Sequence, residues 1–133
     1  MQRLLDIGFK QAGYWSLEKD RLVFKVNALN NSPNALYAFI SCNTVLYVGK
    51  TTQTLSKRLQ GYQNPGSSQF TNIRNNTNIK KILILKGSVE IYALPDTGLL
   101  NYGGFKINLA AGLEDSLIRT LLPAWNGRQC LSE

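Results

Sequence analysis

The stretch "ALYAFISCNTVLYVGK", residues 35–50, decides the fold. Two apolar runs, ALYAFI and VLYVG, flank the polar break Ser41-Cys42-Asn43, which is the pattern of a β-hairpin. Facing residues of an antiparallel pair point to the same side of the sheet, so register decides which side chains meet. A turn centred on Cys42 puts Tyr37 opposite Tyr47, whereas a slip of one residue sends them to opposite faces. The first register is expected. A tyrosine in a half-buried strand is ordinarily a packing residue, so the pair gains meaning only from its company.

Outward from the hairpin, "TQTLSKRLQGY" (52–62) has the pattern of a helix capped by Thr52 or Thr54. Leu55, Leu59 and Tyr62 fall at i, i+4 and i+7 and form its buried stripe, with Arg58 standing at the border of that stripe. "QNPGSS" breaks the helix. "TNIRNNTNIKKILILKG" (71–87) favours a second helix ending near Gly87, with KILILK as a competing strand. "VEIYAL" is a strand stopped by Pro95, and "DTGLLNYGGFKI" is a glycine-rich loop. "NLAAGLEDSLIRTLLPAWN" (108–126) is the clearest helix: Asn108 caps it, Leu113, Leu117 and Leu121 form its spine, and Pro123 ends it. Trp125 is expected to fold back onto the domain. Before the hairpin, a weak helix and the strand candidate RLVFKV lead into the loop or linker "NALNNSPN" (27–34).

A chain of 133 residues with 44% hydrophobic content is long and apolar enough to bury a core as a single domain. No segment approaches the roughly 18 apolar residues of a membrane span. "MQRLLDIGFK" lacks the layout of a signal peptide, and Cys42 and Cys130 read as reduced thiols, so a cytoplasmic location is expected. The net charge is +7 and is unevenly spread. Residues 34–89 hold Lys50, Lys57, Arg58, Arg74, Lys80, Lys81 and Lys86 without one acid, a field that attracts polyanions, nucleic acid first. The bland alternative is a solvated basic face. The chain has no histidine and eight acids, which excludes histidine bases, zinc–histidine centres and Ser-His-Asp triads, and makes a carboxylate-rich two-metal centre hard to assemble. Gly49-Lys50 after a strand lacks the earlier glycine of a phosphate loop. Chemistry here must rest on tyrosine, lysine, arginine and one carboxylate.

Taken in order, these residues resemble the GIY-YIG nuclease family, over Ala35 to Asn126. Tyr37 matches the tyrosine of the first triplet, and Tyr47-Val48-Gly49 the second. Lys50 matches the lysine that often follows, Arg58 the arginine of the first helix, and Tyr62 a position held by Tyr or His. Glu114 matches the helix glutamate and Asn126 the closing asparagine. Ala35 departs from the usual Gly, though a small residue still permits close backbone approach. The resemblance implies an α/β fold, a small central and mostly antiparallel sheet flanked by helices. It also implies phosphodiester hydrolysis with one divalent metal, Mg2+ or Mn2+, held by Glu114. Arg58 would neutralise charge growing on the phosphoryl oxygens. Tyr37 or Tyr47 would take a proton from the attacking water, its pKa lowered by Lys50 and the metal. Asn126 would orient the site or the helix.

On this reading residues 1–33 are an N-terminal extension on or beside the core, and 34–133 form the nuclease-like domain with an enlarged segment 63–107. The partner is DNA, with no membrane and no protein partner indicated. Lys57, Arg74, Asn75, Asn76, Lys80 and Lys81 are the candidates for nucleic-acid binding. Asn and Arg there could read base edges, or the segment could touch only phosphates. The short chain favours a restriction-type enzyme or a small nuclease of low specificity, which could prefer single strands. Symmetric cutting of a duplex would require a homodimer. A catalytically idle DNA-binding domain of the same fold is the alternative.

Overall fold

The computed structural model describes residues 1–26, 33–95 and 101–126. Most of the expected loop at 27–34, part of the glycine-rich segment and Cys130 lie outside them. β3 (Pro33–Ser41) is the centre of the structure. Ala35 to Ile40 are all buried, because helices cover both faces of the sheet, and a strand covered on both faces needs a continuous apolar run. Leu36, Ala38 and Ile40 face one core, together with Leu4, Phe9, Val48 and Tyr92. Tyr37 and Phe39 face the other, with Trp15, Tyr47, Leu55, Leu59, Tyr62 and Ile79.

β3 pairs with β4 (Thr44–Thr54) through a two-residue turn, Cys42-Asn43, in which both residues have positive φ. The expected direct pairing of the tyrosines does not occur. Tyr37 faces Gly49 and Tyr47 faces Phe39. An extra residue, Leu46, bulges β4 between the Ile40–Val45 and Phe39–Tyr47 pairs. That one residue turns Tyr47 to the face carrying Tyr37, so the two rings do share a side, placed diagonally with centroids 6.3 Å apart.

The five-stranded sheet has the order β2-β1-β5-β3-β4, and every pairing is antiparallel. β5 is Val89–Pro95 and β2 is Arg21–Val26. β1 (Lys10–Glu18) was not apparent from the sequence. Its alternation breaks where the register shifts between Gln11 and Gly13, leaving Ala12 and Gly13 buried side by side in the sequence. Trp15 of β1 sits edge-on to Phe24 and Phe39, which joins residues 10–26 to the main core.

The helices are α1 (Gln2–Asp6), α2 (Leu55–Gln63), α3 (Phe70–Ile84) and α4 (Leu109–Leu121). Thr54 caps α2 by accepting from Lys57 N, and Asn108 caps α4 by accepting from Ala111 N. The segment 71–87 is helical up to Ile84, as favoured over a strand. Where a loop was expected, Asn101–Tyr102 (β6) and Phe105–Lys106 (β7) form a small hairpin. α2 and α3 lie on the Tyr37 face, α1 and α4 on the Leu36 face. Among the described residues no helix is long and apolar enough to cross a membrane.

β4 is an edge strand, and Trp125 and Asn126 cover part of it. Leu122 takes a left-handed conformation (φ 47), which stops α4 ahead of Pro123. The chain then turns back along β4. Trp125 N donates to Leu46 O at 2.7 Å, Val48 N donates to Asn126 Oδ1 at 2.9 Å, and Asn126 Nδ2 donates to Val48 O at 2.9 Å. The asparagine side chain thus supplies the donor and acceptor that a neighbouring strand would give, satisfying a buried edge residue. Asn126→Ala should therefore destabilise the fold by about 2 kcal/mol, measured by urea unfolding, since two buried backbone groups lose their partners. A change within about 0.5 kcal/mol would show that Val48 is not held this way.

Candidate active site

α2 begins where β4 ends, so a single helical turn carries Arg58 and Tyr62 to the tyrosines of the hairpin. Tyr37 and Tyr62 are completely buried, and their hydroxyls are 2.5 Å apart. Arg58 Nη2 donates to Tyr62 Oη at 2.8 Å, and the guanidinium lies 4.2 Å from the centre of the Tyr62 ring. Phe39 and Tyr47 stack at 5.6 Å beside them. Tyr47 keeps 9% of its surface exposed, so of the two hairpin tyrosines it is the one in reach of solvent.

Burial pushes the Tyr37 phenol well above its ordinary value. The neighbouring Tyr47 adds to the rise, and Arg58 and the hydrogen bond shared with Tyr62 oppose it. Burial also raises Tyr62, with Tyr37 and Tyr47 adding to it. A low-pKa Tyr37, activated by Lys50, is therefore not what the geometry provides: its hydroxyl is enclosed, and the cation beside it is Arg58. Lys50 pairs with Leu36 across the hairpin and so faces the other side of the sheet, towards α4. There its Nζ lies 3.8 Å from Glu114 Oε1. Burial raises the Glu114 carboxyl, Lys50 lowers it, and Asp115 raises it again.

The arrangement has two halves separated by β4. Tyr37, Tyr47, Arg58 and Tyr62 are on one face, Lys50 and Glu114 on the other, and the consecutive residues Gly49 and Lys50 join them. Asn126 is brought to the same strand, but both its polar atoms are committed to Val48, which makes it a clamp on β4.

No three His, Cys, Asp or Glu side chains converge among the described residues. Glu114, about a quarter exposed and in a loose ion pair, is the carboxylate that meets Lys50 among the described residues, with the exposed Asp115 beside it. That donor set fits Mg2+ or Mn2+, whose remaining positions water and phosphate oxygens fill, and does not fit a structural zinc.

The expected nucleic-acid contacts divide. Lys57, Arg74 and Lys81 are exposed on α2 and α3, and Lys80 is half-buried. Asn75 is fully buried and out of reach of a base edge, and the half-buried Asn76 has its amide nitrogen engaged with Tyr62 O at 2.7 Å. Asn72, not singled out from the sequence, is buried and accepts from Arg58 Nη2 at 3.0 Å. Asn72, Asn75 and Ile79 recur at i, i+3 and i+7, the spacing of an inward stripe, and this periodicity was the available signal.

Neither models of protein families nor curated protein sequences give a match. Among solved structures the chain resembles a mutant of bacteriophage T4 EndoII, with a TM-score of 0.71 and 21% identity over 94% of this chain and 96% of that one. It also resembles the restriction endonuclease HPY188I in complex with product DNA. There the TM-score is 0.51 and the identity 16%, over 84% of this chain and 75% of that one. At these identities the likeness is one of fold.

The buried phenols give a pH signature. Because folding raises the Tyr37 and Tyr62 pKa values, the unfolded chain releases protons near pH 10 that the folded chain keeps. Their contribution to stability is thus complete below about pH 10 and declines as pH rises through the folded values. In a tyrosinate absorbance titration of the six tyrosines, two should ionise only as the fold opens. Reversible ionisation of all six near pH 10 with the fold intact would contradict the buried pair.

Proposed function

We propose that this chain is a DNA endonuclease of the GIY-YIG type, hydrolysing phosphodiester bonds with one divalent metal, Mg2+ or Mn2+. The observation that carries the proposal is the chain Arg58–Tyr62–Tyr37 beside Tyr47, set against β4 in a fold shared with two nucleases. The basic surface of Lys57, Arg74 and Lys81 supplies the attraction for DNA.

The residues divide the work by position. Tyr47 is the hairpin tyrosine that solvent reaches, and it is the better candidate to take the proton from the attacking water. Tyr37 and Tyr62 stay protonated and hold Arg58. Both hydrogens of Arg58 Nη2 are used inside the protein, so Nε and Nη1 are the donors for a phosphoryl oxygen. Glu114 would hold the metal, and Lys50 beside it keeps the carboxylate oriented. A bound divalent ion supplies charge stabilisation at the phosphate and leaving oxygens.

Low sequence specificity is favoured over a restriction-type enzyme by one observation: Asn75 is buried and the Asn76 amide nitrogen is engaged with Tyr62 O, which leaves mainly cations for the phosphates. Cutting both strands of a duplex symmetrically would take a homodimer.

The test is incubation with supercoiled plasmid and with single-stranded DNA, in Mg2+, Mn2+ or chelator. Cleavage is expected only with metal, as a smear of products, and Glu114→Ala or Arg58→Ala should lower it by about 100-fold or more. Discrete bands would indicate restriction-type action. Salt-sensitive DNA binding without cleavage in either metal would replace the proposal with an idle DNA-binding domain.

A further inference from the structure

Arg58 is held from its outer side by a chain of amides that has no part in the proposed chemistry. Its Nη2 donates to Asn72 Oδ1 at 3.0 Å as well as to Tyr62. Asn72 Nδ2 donates to Gln69 Oε1 at 3.2 Å, and the same oxygen accepts from Gly66 N at 2.8 Å. The direction of this chain is fixed from its far end. A backbone N–H can only donate, so Gly66 requires the oxygen of Gln69. That oxygen requires the nitrogen of Asn72, and Asn72 is left with its oxygen towards the arginine.

The helix is shaped around this contact. Gly61 lies inside α2, where glycine costs about 1 kcal/mol relative to alanine. A Cβ there would come within 3.1 Å of Arg58 Nη1 and 3.2 Å of Asn72 Nδ2, closer than such atoms comfortably approach. The bare backbone leaves room for guanidinium and amide together.

The partners chosen are also informative. No ion pair among the described residues involves Arg58. It is held by a phenol and an amide, although a carboxylate would bind it more strongly. We propose that Asn72 is a positioning residue that fixes the Arg58 guanidinium in place while leaving its positive charge uncompensated for an anionic substrate. The role of that charge rests on the nuclease reading; the positioning itself does not.

Two readouts keep these apart. The first is the Arg58 side-chain N–H resonance in 15N-labelled protein without DNA. It should be sharp in the wild type and in Asn72→Asp, and broadened in Asn72→Ala. The second is plasmid cleavage with Mg2+. Asn72→Ala should lower kcat by about 10- to 100-fold with little change in KM, the effect of misplacing a group that acts in the transition state. Asn72→Asp should keep the melting temperature or raise it, yet lower kcat by about 10-fold or more, because the arginine charge is then neutralised. Gln69→Ala, at an exposed position, should give a smaller fall in the same direction, and it carries the test if Asn72→Ala does not fold. An unchanged resonance and kcat in Asn72→Ala would overturn the positioning role. Wild-type kcat in Asn72→Asp would overturn the requirement for an uncompensated charge. If the wild type cuts no DNA, the nuclease reading fails, and the resonance still decides the positioning.

Discussion

The ring of Tyr37 lies across the backbone of Gly49, and much of the candidate site follows from that contact. A Cβ at position 49 would stand 2.6 Å from Tyr37 Cζ and Oη and 2.9 Å from Tyr47 Cε2. Real atoms do not approach so closely, so β4 must present bare backbone beneath the ring. The Tyr37 hydroxyl then meets Tyr62 of α2, and Tyr62 in turn receives Arg58. The cap at Thr54 matters for the same reason, because it fixes where α2 starts and hence which turn faces the hairpin. The contact also depends on the bulge at Leu46. Continued without it, the register set by the Cys42-Asn43 turn would place Val48 opposite Tyr37 and send Tyr47 towards α4.

The sequence was legible where one signal dominated. The apolar runs of β3 and β5, the Leu55–Leu59–Tyr62 stripe and the capped, leucine-lined α4 all state their structure locally. β1 was hidden because its irregularity at Ala12–Gly13 cancels the alternation by which a strand is recognised. The hairpin was readable as a hairpin but not in register, since a two-residue turn and a bulge together shift the pairing in a way no local propensity reveals. The candidate site shows the same division. That Tyr37, Tyr47, Arg58 and Tyr62 meet was implied by the family resemblance, with only the shared side of the two hairpin tyrosines readable from the strand pattern itself. That Tyr37 is sealed, that Lys50 and Glu114 lie across the sheet from it, and that Asn126 serves the backbone are consequences of packing, which a linear pattern does not carry.

β4 is where these consequences meet. As an edge strand it offers unpaired backbone groups, a hazard that folded proteins blunt by covering them. Here the cover is short: Trp125 and Asn126 occupy the stretch at Leu46 and Val48. Gly49 and Lys50 follow immediately, Gly49 opposite Tyr37 on one face and Lys50 opposite Leu36 on the other. The strand is thus clamped directly beside the candidate site.

α3 shows what such an arrangement costs. A helix packed on a sheet is most stable with an apolar stripe, yet two of its three fully inward positions are Asn72 and Asn75. The Asn75 amide has no hydrogen-bond partner among the described residues, and such burial costs on the order of 1–3 kcal/mol. Asn72 offsets its own burial through Arg58 and Gln69. Leucine there would pack better but leave one hydrogen of Nη2 without an acceptor, and aspartate would satisfy it but cancel its charge. A neutral acceptor is the option that both holds the guanidinium and leaves it attractive to an anion. Asn72 is thus better explained by what Arg58 requires than by the needs of the core, whereas Asn75 makes no hydrogen bond with Arg58 that would explain its place in the stripe.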